Sequence, residues 1–93
     1  MLKMFSVCDR VSETYINPFV LVTERDAIEG FRTIIAEEGN NYNKFPEDFD
    51  LVSVGQFDPQ KGVIDSHEPK RIINGWELTT EQHREILNQK KEK

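Results

Sequence analysis

The sequence predicts an α+β fold in which a mostly antiparallel sheet of about four strands is covered by one long helix. Between Phe49 and Phe57, apolar residues occupy both faces of a period-2 pattern, which is typical of a central strand. Between Glu24 and Glu38, apolar residues recur at steps of three and four, which is typical of an amphipathic helix. The predicted order is strand, strand, helix, strand, strand, followed by an appended C-terminal helix.

A hairpin between Phe45 and Ile64 is the predicted centre of this fold. Asp58 and Pro59 are turn-forming residues, and Gly62 suits the positive φ that often ends such loops. Val63 and Ile64 then begin a return strand. We expect this core hairpin to be the element against which the rest of the chain packs.

Two further strands are predicted before the helix. Met1 to Cys8 places apolar side chains on both faces, and Phe19 to Val22 forms a second apolar run after Pro18. Cys8 is most simply a small core residue. A single cysteine excludes an internal disulfide and fits a reducing compartment.

The long helix has clear end signals. Thr23 is a good N-cap, with Asp26 three positions later, and Gly39 stands where a C′ glycine belongs. Gly30 weakens the helix by about 1 kcal/mol relative to Ala. Either the helix approaches the sheet closely at Gly30, or Gly30 is a tolerated surface glycine, and the pattern leaves both open.

The C-terminal part is more polar. Residues Asp65–Pro69 predict a turn, and Arg71–Trp76 predict a short edge strand. Thr79 with Gln82 forms a capping-box pattern that opens a helix near residues 80–90. This helix either docks through Trp76 and Leu78 or projects. We therefore expect a core domain over residues 1–78 and a C-terminal helix with a frayed tail over residues 79–93.

Length and charge limit the function. Ninety-three residues make one domain with a modest core, which a second subunit often stabilises, so a homo-oligomer is expected. The net charge of −5 argues against a protein that coats nucleic acid with its whole surface, although a local basic patch is compatible with it. No apolar run approaches the roughly 20 residues of a membrane span, and the N-terminus lacks the long apolar region of a secretory signal. No membrane association is expected.

No catalytic residue, metal site or cofactor site is predicted. His67 and His83 each lack a second His or Cys at metal-ligand spacing. The acids around Asp50 lack the pattern of a calcium loop and are typical of a solvated turn beside a proline. The glycines are isolated and form no phosphate-binding loop.

Nucleic acid is the ligand class for which candidate residues exist. Basic residues concentrate towards the C-terminus and aromatic residues could stack on bases; the candidates are Lys70, Arg71, Arg84, Lys90, Lys91, Tyr42 and Trp76. The alternative is that the lysines complement a helix dipole while the aromatic residues fill the core. Acidic residues interleave with these bases, so both interpretations remain open.

Several short stretches together resemble a known family. They include Met4 to Val7, Pro18-Phe19, Pro46 to Phe49 and Gly55 to Asp58. Their order is similar to that in the small non-structural protein of microviruses, in particular the gokushovirus branch of single-stranded DNA bacteriophages. The resemblance covers residues Met1 to Ile64, whereas the charged C-terminal helix departs from it.

The resemblance implies an early phage protein that is absent from the mature particle and resides in the cytoplasm of the bacterial host. Such proteins are described as DNA-binding or single-strand synthesis proteins, and no catalytic residues transfer from them. One hypothesis is a non-enzymatic regulator associated with single-stranded DNA during replication. The other is an acidic protein-interaction module, expected to be a homodimer, that modulates a phage or host replication or packaging protein.

Overall fold

The computed structural model describes residues 1–91, with side chains described over residues 1–89. Its centre is a five-stranded antiparallel sheet. The strands are β1 Leu2–Asp9, β2 Thr14–Tyr15, β3 Phe19–Leu21, β4 Phe49–Asp58 and β5 Val63–Asn74. Their order is β2-β1-β4-β5, with β3 pairing with β1 next to β2. The predicted α+β class with an antiparallel sheet is confirmed.

The helices are α1 Glu24–Ala36, α2 Asn41–Lys44 and α3 Glu81–Lys91, and two 3₁₀ turns cover Pro46–Asp48 and Gly75–Leu78. The prediction of four strands covered by one long helix therefore omitted one strand, β2, and the short helix α2. Three strands precede α1 rather than two, because the polar segment after β1 contributes the short strand β2. Two-residue strands carry too little apolar pattern to be recognised from sequence.

The core lies between α1 and the strands β1 and β4. Phe5 and Leu51, from the two strands, are fully buried, and Phe31 and Ile35 from α1 lie in the same cluster. The predicted N-cap is confirmed, since Thr23 Oγ1 accepts a hydrogen bond from the Asp26 backbone N–H at 3.1 Å. The helix places its apolar stripe against one face of the sheet.

The predicted turn at Asp65–Pro69 and the predicted edge strand at Arg71–Trp76 were wrong as separate elements. One continuous strand, β5, includes the whole predicted turn and residues 71–74, whereas Gly75 and Trp76 belong to the 3₁₀ turn that follows. Ser53 pairs with Lys70, and Gly55 pairs with Ser66. Residues 67–69 of β5 therefore lie opposite a single residue of β4, Val54. This irregularity accommodates the extra residues and Pro69, so a strand continues where turn-forming residues occur.

The hairpin of β4 and β5 is central at its base only. The strand β4 lies between β1 and β5, as predicted for a central strand. Residues 63–71 of β5 are all exposed, however, and the molecule measures 53 × 23 × 18 Å. The expectation that the rest of the chain packs against this hairpin is therefore met at the base of the hairpin and not along residues 63–71. The predicted turn is confirmed, with Gly62 at φ 67° and its N–H bonded to the Asp58 carbonyl at 2.8 Å.

The C-terminal helix α3 docks on the body of the protein. Leu87 is buried, as is Leu78 in the turn before the helix, and His83 Nε2 lies 2.8 Å from the Asn43 carbonyl oxygen. The alternative of a projecting helix is thereby excluded, while a domain boundary at residue 78 stays a prediction.

The two interpretations of Gly30 are also resolved. A Cβ atom at this position would meet no heavy atom within 4 Å, so Gly30 is a surface glycine and not a point of close approach. Within the described part of the chain, no helix has the length and apolar character needed to cross a membrane.

Candidate nucleic-acid interface

The structure brings Trp76 and Arg84 together. Trp76 lies in the 3₁₀ turn Gly75–Leu78, and the Arg84 guanidinium from α3 stands over its ring, 5.1 Å from the centroid. The Arg84 Nε donates to Thr79 Oγ1 at 2.6 Å, and a terminal nitrogen donates to the Trp76 carbonyl at 3.0 Å. These contacts hold a planar cation and an indole in one stacked unit.

Lys70 and Arg71 lie near the inner end of the exposed part of β5. They pair across the sheet with Ser53 and Val52 respectively. Both side chains are exposed, so both can approach a phosphate. They are neighbours along the strand and belong to a different element from Arg84 on α3.

Tyr42 is placed in the apolar core and not on a stacking surface. Its ring centroid lies 4.5 Å from that of Phe49, and it meets Phe31 edge-on at 6.5 Å. Tyr42 packs against the buried core cluster and is half-buried. For this residue the structure supports the alternative interpretation, in which the aromatic ring fills the core.

Lys90 and Lys91 are the last two helical residues of α3. Their side chains lie outside the described residues, so the structure places only their backbone. Within the described part of α3, acidic Glu81 and Glu85 are close in sequence to Arg84. The positive charge that the sequence suggested for this helix is therefore partly offset by these two carboxylates.

A polar network at the base of the hairpin was missed by sequence analysis. Asp50, predicted as part of a solvated turn, is buried and accepts from Asn74 Nδ2 at 2.8 Å. The same Asn74 nitrogen also donates to the carbonyls of Glu47 and Phe49, at 3.1 and 3.3 Å. Arg10 Nε lies 3.8 Å from Asp50 Oδ2. A signal for this network exists in the sequence, since Asp50 stands between the apolar residues Phe49 and Leu51 in a predicted central strand.

Two side chains on β1 and β2 interact across the sheet. Cys8 pairs with Tyr15 in the register of the two strands. The Cys8 sulfur, by hydrogen bonding to the hydroxyl and then by its charge, raises the pKa of Tyr15 above its ordinary value. Cys8 is half-buried, so it is less enclosed than the core position that its sequence context suggested.

A serine and a histidine meet on the outer half of the hairpin. His67 Nε2 lies 3.3 Å from Ser53 Oγ, and His67 Nδ1 lies 2.7 Å from the Glu68 carbonyl oxygen. A nucleophile needs a base oriented by a third group, and here that third group is an exposed backbone carbonyl. Among the described residues, no three His, Cys, Asp or Glu side chains come together as a metal-binding group.

Comparison with known proteins identifies a family for this chain. No curated protein and no solved structure matches it. The family described as Phage ORF5 protein matches residues 2–78, which covers all five strands, both 3₁₀ turns and the helices α1 and α2. Since this match extends over most of the sequence, the chain belongs to the Phage ORF5 protein family.

Proposed function

We propose that this phage protein is a non-structural, non-enzymatic regulator of single-stranded DNA synthesis that contacts single-stranded DNA in the cytoplasm of the bacterial host. Membership of a phage protein family supports the setting, and the sequence resemblance to the small non-structural protein of microviruses supports the process. The contact is assigned to the Trp76–Arg84 pair, together with Lys70 and Arg71.

The stacked Trp76 and Arg84 are the observation that carries this proposal. A guanidinium has more N–H donors than the two that Arg84 uses towards the described residues, and the others suit a phosphate oxygen. An aromatic ring with a fixed cation is also a surface on which a base can stack without sequence preference. A single strand exposes its phosphates and the faces of its bases at once, whereas a duplex buries the base faces in its stack.

The test is fluorescence anisotropy of a labelled single-stranded oligonucleotide over a salt series, with duplex as the comparison. We expect binding that weakens steeply with salt, since neutralised phosphates release counterions. Deleting residues 84–93 would also remove the buried Leu87, so point variants are preferable. Arg84→Gln and Lys70→Gln with Arg71→Gln should each lower the salt slope, by about 1 for every phosphate that is no longer neutralised.

The matched control is Arg25→Gln, which removes one exposed positive charge from α1. It should leave the salt slope unchanged if the contact is local. An equal fall in Arg25→Gln and Arg84→Gln would indicate a general charge effect. No binding at low salt, where electrostatic attraction is strongest, would refute the DNA proposal.

We also infer that the protein is not an enzyme. The Ser53–His67 contact is the arrangement that most needs testing, because it places a hydroxyl beside an imidazole. The His67 ring is oriented by a backbone carbonyl, whereas a catalytic triad orients its imidazole with a carboxylate. Hydrolysis of p-nitrophenyl acetate should not change in His67→Ala; a large loss of activity in that variant would contradict the inference.

The second candidate function is an acidic interaction module that forms a homodimer and modulates a phage or host replication or packaging protein. Its specific support is the strand β5, which in the described part of the chain has a sheet neighbour on one side only. Val63 and Ile64 on this strand are exposed by 53% and 59%. Sedimentation equilibrium should then show a dimer that Ile64→Lys dissociates, and a monomer at high concentration would contradict it.

A further inference from the structure

An apolar cleft opens between α1 and the sheet. Its floor and walls include Val7, Phe19 and Leu21 from the strands and Ala27, Gly30 and Ile34 from α1. Because Gly30 has no side chain, the mouth of the cleft is open at this turn of the helix. Ile34 at the rim is 40% exposed, which is high for an isoleucine next to a core.

The size and lining of this cleft suit side chains rather than a drug-sized molecule. Its volume is about 280 Å³, below the range of roughly 300–1,000 Å³ that is usual for small-molecule sites. Among its lining residues, Tyr42 supplies the one polar side-chain atom. One or two aliphatic or aromatic side chains of a partner would fill it, as apolar anchors fill a groove.

The charges along α1 are distributed unevenly around the cleft. Asp26 precedes Gly30 by four residues, so helical periodicity places it beside the mouth. Glu37 is the C-cap residue directly after α1, and its backbone N–H donates to the Ile34 carbonyl at 3.2 Å, which places it next to the rim at Ile34. Arg25 and Arg32 are displaced from Gly30 by five and two residues, which places them away from this line of the helix. The rim that α1 and its C-cap residue form beside the cleft is therefore acidic.

We propose that this cleft binds a basic amphipathic segment of another protein, with apolar anchors in the cleft and Lys or Arg beside the acidic rim. Charge complementarity selects this occupant over an acidic peptide or a fatty acid, because either would bring a negative charge next to Asp26 and Glu37. The cleft contains none of the basic residues assigned to DNA contact. The inference therefore goes beyond the proposed function, and its test is independent of the test for DNA binding.

Gly30→Leu is a variant that should block the cleft without harming the fold. A Cβ atom at this position has no heavy atom within 4 Å. Leucine also has a higher helix propensity than glycine. The variant should therefore be at least as stable as the natural protein, which thermal unfolding will show. Loss of binding in a stable variant can then be assigned to the cleft.

The probe is a library of short random peptides displayed on phage, selected on the natural protein and counter-selected on Gly30→Leu. We expect enrichment of peptides that combine apolar residues with flanking Lys or Arg. A synthetic enriched peptide should bind about tenfold more tightly than its copy with Glu in place of the basic residues. It should also lose most of its affinity for Gly30→Leu.

Charge reversal tests the rim separately. Glu37→Lys should weaken the binding of the basic peptide and strengthen the binding of its acidic copy. Glu85→Lys on α3 makes the same change in net charge away from the cleft and should alter neither affinity. The proposal is overturned if nothing is enriched, if enriched peptides lack basic flanks, or if Gly30→Leu binds them equally. Displacement of the peptide by micromolar decanoate would also overturn it and would assign the cleft to an acyl chain.

Discussion

Asn74 Nδ2 donates a hydrogen bond to Oδ1 of the Asp50 carboxylate across 2.8 Å, and both residues are almost completely buried. The bond ties the end of β5 to the start of β4, where the exposed hairpin meets the body. Asn74 Oδ1 also accepts from the Trp76 backbone N–H at 3.0 Å, and so caps the turn that carries the indole. One side chain thus connects the sheet, the hairpin and the candidate DNA contact.

Asn74→Ala should destabilise the protein by about 2–4 kcal/mol, because it removes the cap and leaves a buried carboxylate with fewer partners. The measurement is urea unfolding followed by Trp76 fluorescence. The same variant should weaken DNA binding through loss of order in the 3₁₀ turn, even though Asn74 is not among the residues assigned to phosphate.

Asn88→Ala is the matched control, since Asn88 is exposed on α3. Its effect on unfolding should remain within about 0.5 kcal/mol. Equal stabilities for the two variants would show that the Asp50–Asn74 bond does not hold the base of the hairpin.

Gly75 and Gly30 should respond oppositely to the same substitution. A Cβ at Gly75 would lie 2.4 Å from the Pro46 carbonyl oxygen and 2.8 Å from Ile35 Cδ1, so Gly75→Ala forces these groups apart and should cost about 1–3 kcal/mol. Gly30→Ala meets open space in a helix and should stabilise by up to about 1 kcal/mol. Thermal unfolding of the pair decides this, and a stabilising Gly75→Ala would contradict the close approach.

The elements with strong periodicity could be predicted from sequence. The helix α1 has an apolar stripe with a recognisable cap at Thr23, and the strand β4 is apolar on both faces. The strand β5 could not be predicted over its full length, because Pro69 and the polar residues before it are typical of a turn. Pairing with β4, including the irregular register opposite Val54, makes this segment extended.

The candidate site was predictable as residue types but not as an arrangement. Basic and aromatic residues near the C-terminus were evident, whereas the stacking of Arg84 on Trp76 depends on how α3 packs against the preceding turn. Tyr42 has the same chemistry as an exposed stacking residue, and its contact with Phe49 places it in the core. The apolar cleft could not be predicted either, because Phe19 and Gly30 come together only when α1 packs on the sheet.

Leu87 should control whether α3 stays docked. It is buried on the helix, and Leu87→Ala should cost about 2–5 kcal/mol of local docking energy if the site collapses poorly. Hydrogen exchange should then become faster in α3 while protection in β1 and β4 persists. That outcome would support a core domain over residues 1–78 with an appended helix.

Ile86→Ala provides the comparison, because Ile86 is the preceding residue and is 45% exposed. It should change the exchange of α3 much less. Simultaneous loss of protection in α3 and in the sheet of Leu87→Ala would mean that the helix and the core unfold as one unit.

Tyr15 should ionise at higher pH than an ordinary tyrosine because of its contact with Cys8. The native state holds the Tyr15 proton more tightly than the unfolded chain, whose tyrosine pKa is 10.0. The stabilisation from this contact is therefore fully present below about pH 10 and is lost as the pH rises through the native pKa.

Cys8→Ala should move the pKa of Tyr15 down towards the ordinary value, because the hydrogen bond and the charge of the sulfur are the largest causes of the shift. Tyrosinate absorbance in a Tyr42→Phe background follows Tyr15 alone, since the chain has two tyrosines. An unchanged titration in Cys8→Ala would show that another group raises this pKa, and the carboxylates of Asp50 and Glu68 act on it in the same direction.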